Sequence, residues 1–201
     1  FLVERCQAHG GFINVKHNAD GSKSPYELNI VYFDAVNDPT ANESIETQVN
    51  RFMVAQAIML ALAGVPGIYF HSLFGSRNDR QAALQTGINR RINRQKLTLA
   101  ELEADLADPR SLRSRVFGRF RELLAFRRSH RAFAPGSSQQ IVEAGPEIFA
   151  VFRKTQDGRD QVLCLHNVCG RQVSVPASLA GVGNSSLSAF EVKWIPLSGG
   201  K

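Results

Sequence analysis

Arg90, Arg91 and Arg94 crowd into a single short stretch, with Asn89 and Asn93 between and beside them. Guanidinium groups and side-chain amides offer several donors in fixed geometry, which suits polyhydroxyl and oxyanion ligands. The stretch lies at the end of a polar loop rich in Gly, Ser, Asn and Arg. That loop follows the apolar run Gly67-Ile68-Tyr69-Phe70, which predicts a buried strand. Long polar loops leaving the end of a strand are where α/β barrels keep their substrate contacts. A second polar loop, Asn18 to Pro25, leads into Tyr26-Glu27, with His17 and Lys23 as its cations.

Several runs carry a family resemblance. They are Tyr26-Glu27-Leu28-Asn29, Tyr32-Phe33-Asp34-Ala35, Gln56-Ala57-Ile58-Met59-Leu60, Gly64-Val65-Pro66-Gly67-Ile68-Tyr69-Phe70-His71-Ser72-Leu73 and Arg90-Arg91-Ile92-Asn93-Arg94. In this order they resemble the C-terminal part of the sucrose phosphorylase group of the α-amylase superfamily, which includes enzymes acting on phosphorylated sucrose or glucosylglycerate. The resemblance runs from about Phe1 to Val175 and does not separate the members of the group.

The resemblance implies retaining glucosyl transfer, which needs a carboxylate nucleophile and a carboxylic acid about 5 Å apart across the scissile bond. In the family these precede the region covered by this chain, as does a third carboxylate on a His-Asp pair. No His-Asp dipeptide occurs here, so the chain is expected to hold none of the three. Asp34, Asp38 and Asp79 are conceivable substitutes, and nothing in their context favours them. By resemblance, Arg90 matches the arginine of a Gly-Arg-(Asp/Glu)-Ile-Asn-Arg motif that contacts the glucosyl unit. The competing reading of Arg90 is a loop-closing salt bridge. Asn89 replaces the glycine of that motif and Arg91 its acid. A cation in place of an anion suits a negatively charged acceptor better than plain sucrose. Tyr26 and Glu27 match a Tyr-Gln or Tyr-Glu pair on the acceptor side. Tyr26 offers an apolar face for a sugar ring and a hydroxyl, or it simply anchors a strand. His17 and Lys23 either meet a phosphate or carboxylate or are merely solvated. His71 reads as a hydrogen-bonded core residue. No cofactor or metal is implied.

The elements that must position these residues are legible from periodicity. Phe1 to Ala8 reads as a helix stopped by Gly10-Gly11. Phe12 to Lys16 reads as a strand, Tyr26 to Phe33 as extended or mixed. Glu46 to Ala63 has helical spacing and is apolar on much of its circumference, so it should be largely buried. Thr98-Leu99-Ala100-Glu101 is a capping-box pattern opening a helix to about Leu106. Ser111 to Arg131 is amphipathic, with Leu112, Val116, Phe120, Leu123 and Leu124 as its stripe. Its arginines, Arg113 to Arg131, are expected to form a solvated face. Helix, buried strand, loop and helix make the repeat unit of an α/β barrel. After Ala134-Pro135-Gly136 the period changes. Gln140–Ala144, Glu147–Lys154, Gln161–Asn167, Arg171–Pro176 and Phe190–Leu197 predict five short antiparallel strands.

The expected architecture is therefore α/β plus all-β. Residues 1–134 form the last units of a (β/α)8 TIM barrel, and 135–201 a small antiparallel β domain. With 201 residues and 43% hydrophobic content, a core can form. The chain opens on Phe1 inside a helical pattern, which suggests a piece of a longer protein. Three cysteines without framework spacing suggest reduced thiols and a cytoplasmic setting. The longest apolar stretch, Ala57 to Ala63, falls short of the roughly 20 residues a bilayer demands, so no membrane partner is expected. Residues 77–131 carry 14 Lys/Arg against 6 Asp/Glu, or +8 of the total +6. Such a block raises nucleic acid as a partner, but no zinc-finger, helix-turn-helix or RNP pattern accompanies it. The expected partners are a glucoside, inorganic phosphate and the remainder of the parent barrel. A non-catalytic carbohydrate- or protein-binding module is the alternative.

Overall fold

The computed structural model describes residues 1–182 and 186–198. In chain order the elements are helix α1 (Leu2–Ala8), strands β1 (Phe12–His17) and β2 (Lys23–Asn29), and helices α2 (Tyr32–Val36), α3 (Ile45–Ala61), α4 (Phe70–Leu73), α5 (Arg80–Thr86), α6 (Leu99–Ala107) and α7 (Leu112–Ser129). Strands β3 (Ser138–Val142), β4 (Ile148–Lys154), β5 (Asp160–Asn167), β6 (Val173–Ser174), β7 (Ser186–Leu187) and β8 (Val192–Ser198) follow. The chain divides into two compact units, Phe1–Ser44 with Ile68–Phe117, and Ile45–Gly67 with Gly118–Lys201.

In the first unit, α1 ends where the Gly10-Gly11 pair predicts. Gly10 takes a left-handed φ of +81°. A Cβ on Gly11 would stand 2.5 Å from Cys6 Sγ and 2.9 Å from the Asn29 carbonyl, so only glycine lets the chain turn back so closely. β1 and β2 then form an antiparallel hairpin running from Phe12↔Asn29 to His17↔Lys23, with a bulge between Asn14 and Val15. The turn is tied by Asp20, whose carboxylate accepts from the Ser22 amide and hydroxyl at 2.9 and 2.6 Å. The capping box of α6 is present: the Thr98 hydroxyl accepts from the Glu101 amide, and the Glu101 carboxylate from the Thr98 amide.

The buried strand expected over Gly67–Phe70 is not formed. Tyr69 is extended (φ −71°, ψ 139°), α4 begins at Phe70, and Tyr69 and Phe70 are about half exposed. A parallel strand needs partners for its amides and carbonyls, and among the described residues none pairs with this segment. The short helices α2, α4 and α5 were not anticipated either, because one or two turns are too short to display a period.

In the second unit, α3 buries Val49, Phe52, Met53, Ala57, Leu60 and Ala61. Phe120 of α7 is fully buried, its ring 6.5 Å from that of Phe52 in edge contact. The sheet has the order β3-β4-β5-β8, all antiparallel. Strand β5 is covered on both faces, with residues alternating between them. Leu163 and Leu165 join a cluster with Ile148, Ala150, Val173 and Leu187. Val162 and Cys164 join another with Ala61, Phe133 and Val151. Each such aliphatic side chain contributes roughly 1.5–3 kcal/mol on burial. Of the five expected strands, four form this sheet. The fifth shrinks to Val173–Ser174 and pairs with Ser186–Leu187, a strand the sequence reading did not contain. Among the described residues, no helix is long and apolar enough to cross a membrane.

Arg153 lies in this core with none of its surface exposed. Its Nη1 donates to the Ala61 carbonyl at 3.0 Å and its Nε to Ser138 at 3.2 Å. Arg127 donates to the Gly64 and Phe133 carbonyls at 2.8 and 3.2 Å, and also to that of Leu60. The last carbonyls of a helix have no partner within it and carry the negative end of its dipole. Two guanidinium groups satisfy those of α3, and burial lowers the pKa of both from the ordinary arginine value. Arg153→Met strands buried carbonyls, and is expected to reduce the free energy of unfolding by about 3 kcal/mol. A denaturation midpoint unchanged from wild type would refute this.

His166 is also fully buried. Its Nδ1 stands 2.8 Å from the Phe149 carbonyl, and Trp194 Nε1 donates to its Nε2 at 3.1 Å. This pairing requires a neutral ring, and burial holds its pKa down at about 4. The unfolded value is near 6.5. The native state thus binds fewer protons between these values, so stability is full above the upper one and drains as pH falls to the lower. The loss is on the order of 3 kcal/mol. Urea midpoints of wild type should drop between pH 7 and pH 4.5, with a flatter profile for His166→Gln. Parallel profiles would exclude His166 as the source.

Candidate functional site

The hairpin register sets Asn14 directly opposite Glu27. Asn14 Nδ2 donates to Glu27 Oε2 at 2.9 Å. Arg90 Nε sits 3.0 Å from each oxygen of the same carboxylate. Asn89 Nδ2 in turn donates to Asn14 Oδ1 at 2.6 Å. Asn89 and Arg90 arrive on a 3-10 turn, Asn89–Asn93, pinned by the fully buried Ile92 and by a 2.8 Å bond from the Asp79 amide to the Ile92 carbonyl. The arrangement is therefore one ion pair with two amides behind it. Arg90, ahead of Asn14, holds the Glu27 carboxyl below its ordinary range, and Glu27 raises Arg90 in return. Arg90 is half exposed, so its outer nitrogens face solvent beside an acceptor carboxylate. Donor and acceptor side by side match adjacent hydroxyls of a polyol.

The other sequence-predicted residues lie around this pair. Tyr26 is 66% exposed on β2. It is the unpaired residue of the bulge, where strict alternation of faces lapses, and it lies close enough to Arg90 to add to the rise of the guanidinium pKa. His17 and Lys23 form the last register pair at the hairpin tip, both exposed. They lie three strand positions from Asn14, or roughly 10 Å. Arg91 is half-buried, and its Nε makes no hydrogen bond. The structure thus brings Arg90 to Glu27 and His17 to Lys23 as two separate groups. Sequence reasoning missed Asn14, whose partner emerges only when the hairpin register is counted back from the Asn18–Ser22 turn.

The remaining carboxylates considered for chemistry are engaged locally. Asp34 is buried, accepting from Arg77 Nη1 at 2.9 Å and the Asn78 amide at 2.7 Å. Asp38 bonds the Thr40 amide and hydroxyl, and Asp79 caps α5 through the Ala82 amide. His71 Nδ1 lies 3.0 Å from Ser76 Oγ, which also accepts from Arg113 Nη1. Burial, followed by Arg113, depresses the His71 pKa. Cys6, Cys164 and Cys169 are all free thiols. The arginines of α7 do not form the wholly solvated face that the sequence suggested. Arg113 is only 12% exposed and pairs with Asp105, while Arg127 turns inward onto backbone carbonyls. Their long apolar stems allow a charged head to be carried into such positions.

No family model matches the chain. A glucosylglycerate phosphorylase of Spirochaeta thermophila is 44% identical over 167 residues, covering 83% of this chain and 28% of the relative. A glucosylglycerate phosphorylase of Escherichia coli is 34% identical over 205 residues, covering 96% of this chain and 36% of the relative. The chain therefore spans about a third of the length of these curated relatives. Among solved structures, the sucrose 6F-phosphate phosphorylase of Thermoanaerobacter thermosaccharolyticum superposes with a TM-score of 0.66 over 83% of this chain and 31% of its own, at 22% identity. That identity speaks for a shared fold, and the sequence relatives for the narrower kinship. The chain is thus sucrose phosphorylase-like by its sequence relatives and shares the fold of that solved phosphorylase.

Proposed function

We propose that this chain is the acceptor-side portion of a retaining glycoside phosphorylase that moves a glucosyl unit between glucosylglycerate and inorganic phosphate. The observation that carries the reading is the Glu27–Arg90 pair, half exposed and braced by two amides, in a chain 44% identical to a glucosylglycerate phosphorylase. Residues 1–134 belong in this reading to a (β/α)8 barrel and 135–201 to an antiparallel β domain behind it. The nucleophile and the acid/base, about 5 Å apart, stand elsewhere in the parent protein. A covalent glucosyl-enzyme forms on the nucleophile and is released to phosphate or glycerate. Arg90 and Glu27 hold hydroxyls of the bound sugar or acceptor, Arg91 and Lys23 supply positive charge for an anionic acceptor, and His17 offers a ring donor beside Lys23. Tyr26 offers its exposed ring. The chemistry calls for no metal or cofactor, and free thiols fit a cytoplasmic enzyme. The alternative of a carbohydrate-binding β domain draws no support from Trp194, whose ring is packed against Phe126 and Phe133 at 5.6 and 5.0 Å.

The purified parent protein should release glucose 1-phosphate from glucosylglycerate in the presence of phosphate, while the 201-residue chain alone releases none. Absence of product from the parent, or its formation by the isolated chain, would overturn the proposal.

In the parent, Arg91→Glu should lower the catalytic efficiency with a carboxylated or phosphorylated acceptor at least about tenfold, or roughly 1.4 kcal/mol. Neutral fructose should be affected less, because the Coulomb contribution acts only on the anion. An unchanged ratio between the two acceptors would place Arg91 away from the acceptor.

A further inference from the structure

We infer that Asn14, braced from behind by Asn89, is a positioning residue that fixes the plane of the Glu27 carboxylate on the acceptor side. The inference rests on the function proposed above. Arg90 Nε lies at the same 3.0 Å from both Glu27 oxygens. A single N–H shared equally in this way holds the carboxylate in place but leaves its rotation about the Cγ–Cδ bond weakly determined. Asn14 Nδ2 touches Oε2 alone, at 2.9 Å. That one-sided contact breaks the symmetry and turns Oε1 into the oxygen with spare accepting capacity for a ligand hydroxyl.

Asn14 can do this only if its amide faces the right way. The Glu27 carboxylate only accepts, so Asn14 must present Nδ2 to it. That leaves Asn14 Oδ1 to accept from Asn89 Nδ2 at 2.6 Å, a bond that braces the amide from behind. A flipped amide would set carbonyl against carboxylate and nitrogen against nitrogen. The backbone supports the same geometry. Asn14 is the last regular partner of Glu27 before the bulge, and Asn89 opens the turn that also delivers Arg90. One short turn therefore supplies both the ion partner of Glu27 and the group that braces its second donor.

The test uses the full-length parent protein carrying Asn14→Leu or Asn89→Leu. Crystal structures of the variants supply the first readout. With Asn14→Leu the Glu27 carboxylate should rotate away from its wild-type plane, and an unmoved carboxylate overturns the inference. Kinetics supply the second. The KM for glycerate in the synthetic direction should rise at least about tenfold for Asn14→Leu and less for Asn89→Leu, with kcat reduced far less than KM is raised. An unchanged KM, or equal losses in both constants together with a lowered melting temperature, would reduce Asn14 to a structural hairpin residue. A wild-type parent without phosphorolytic activity would remove the proposed function, while the crystallographic readout would still decide whether Asn14 orients Glu27.

Discussion

The second unit turns on two cations that meet backbone carbonyls, with no carboxylate partner among the described residues. Arg127 and Arg153 donate to carbonyls at and beyond the end of α3, and the donors they use point into backbone oxygen. A buried ion pair would have tolerated small displacements along its Coulomb well. Backbone carbonyls do not, since each bond has its own length and direction. The two guanidinium planes thus lock three segments to one another: the end of α3, the last turns of α7 and the start of the β sheet. The Cys164 thiol lies in the core cluster beside Ala61 and Phe133, and burial raises its pKa. It packs there as a small apolar group, and its reactivity has no part in the fold.

In the first unit the corresponding constraint is an exposed one. The Glu27–Arg90 pair lies at a surface where an isolated ion pair contributes little to stability. Yet it is embedded in a chain of amides and a turn anchored by a fully buried isoleucine. That investment in orientation, at a place where it adds little to folding, is what the proposed binding role rests on. Of the two readings of Arg90 that the sequence leaves open, the structure shows the loop-closing salt bridge with Glu27; contact with a sugar stands as the proposal made above.

What could be read from the residues was what local chemistry decides. The Gly10-Gly11 stop, the Thr98–Glu101 cap and the apolar stripe through Val116 and Phe120 are each set by neighbours within a turn or two. What could not be read was set by distant partners. Gly67–Phe70 has strand composition, but pairing defines a strand and composition does not. The arginines of α7 occur at surface-like spacing, yet Arg113 finds Asp105 and Ser76, and Arg127 finds the end of α3. The same limit applied to the site. Arg90 was visible through its motif, whereas Asn14 had no signal until the hairpin fixed which residue it faces.

The bulge after Asn14 carries a consequence for how this hairpin can diverge. On the α1 side of the bulge, the loss of one residue from β1 would slide Asn14 out of register and swap the faces of its neighbours. On the other side, the contacts of the tip from His17 to Lys23 among the described residues lie within the turn and its nearest strand residues. Insertions, deletions and changes of charge are therefore permitted at the tip and penalised at its base. A lineage could rewrite what the tip greets while inheriting the Asn14–Glu27 pairing unaltered.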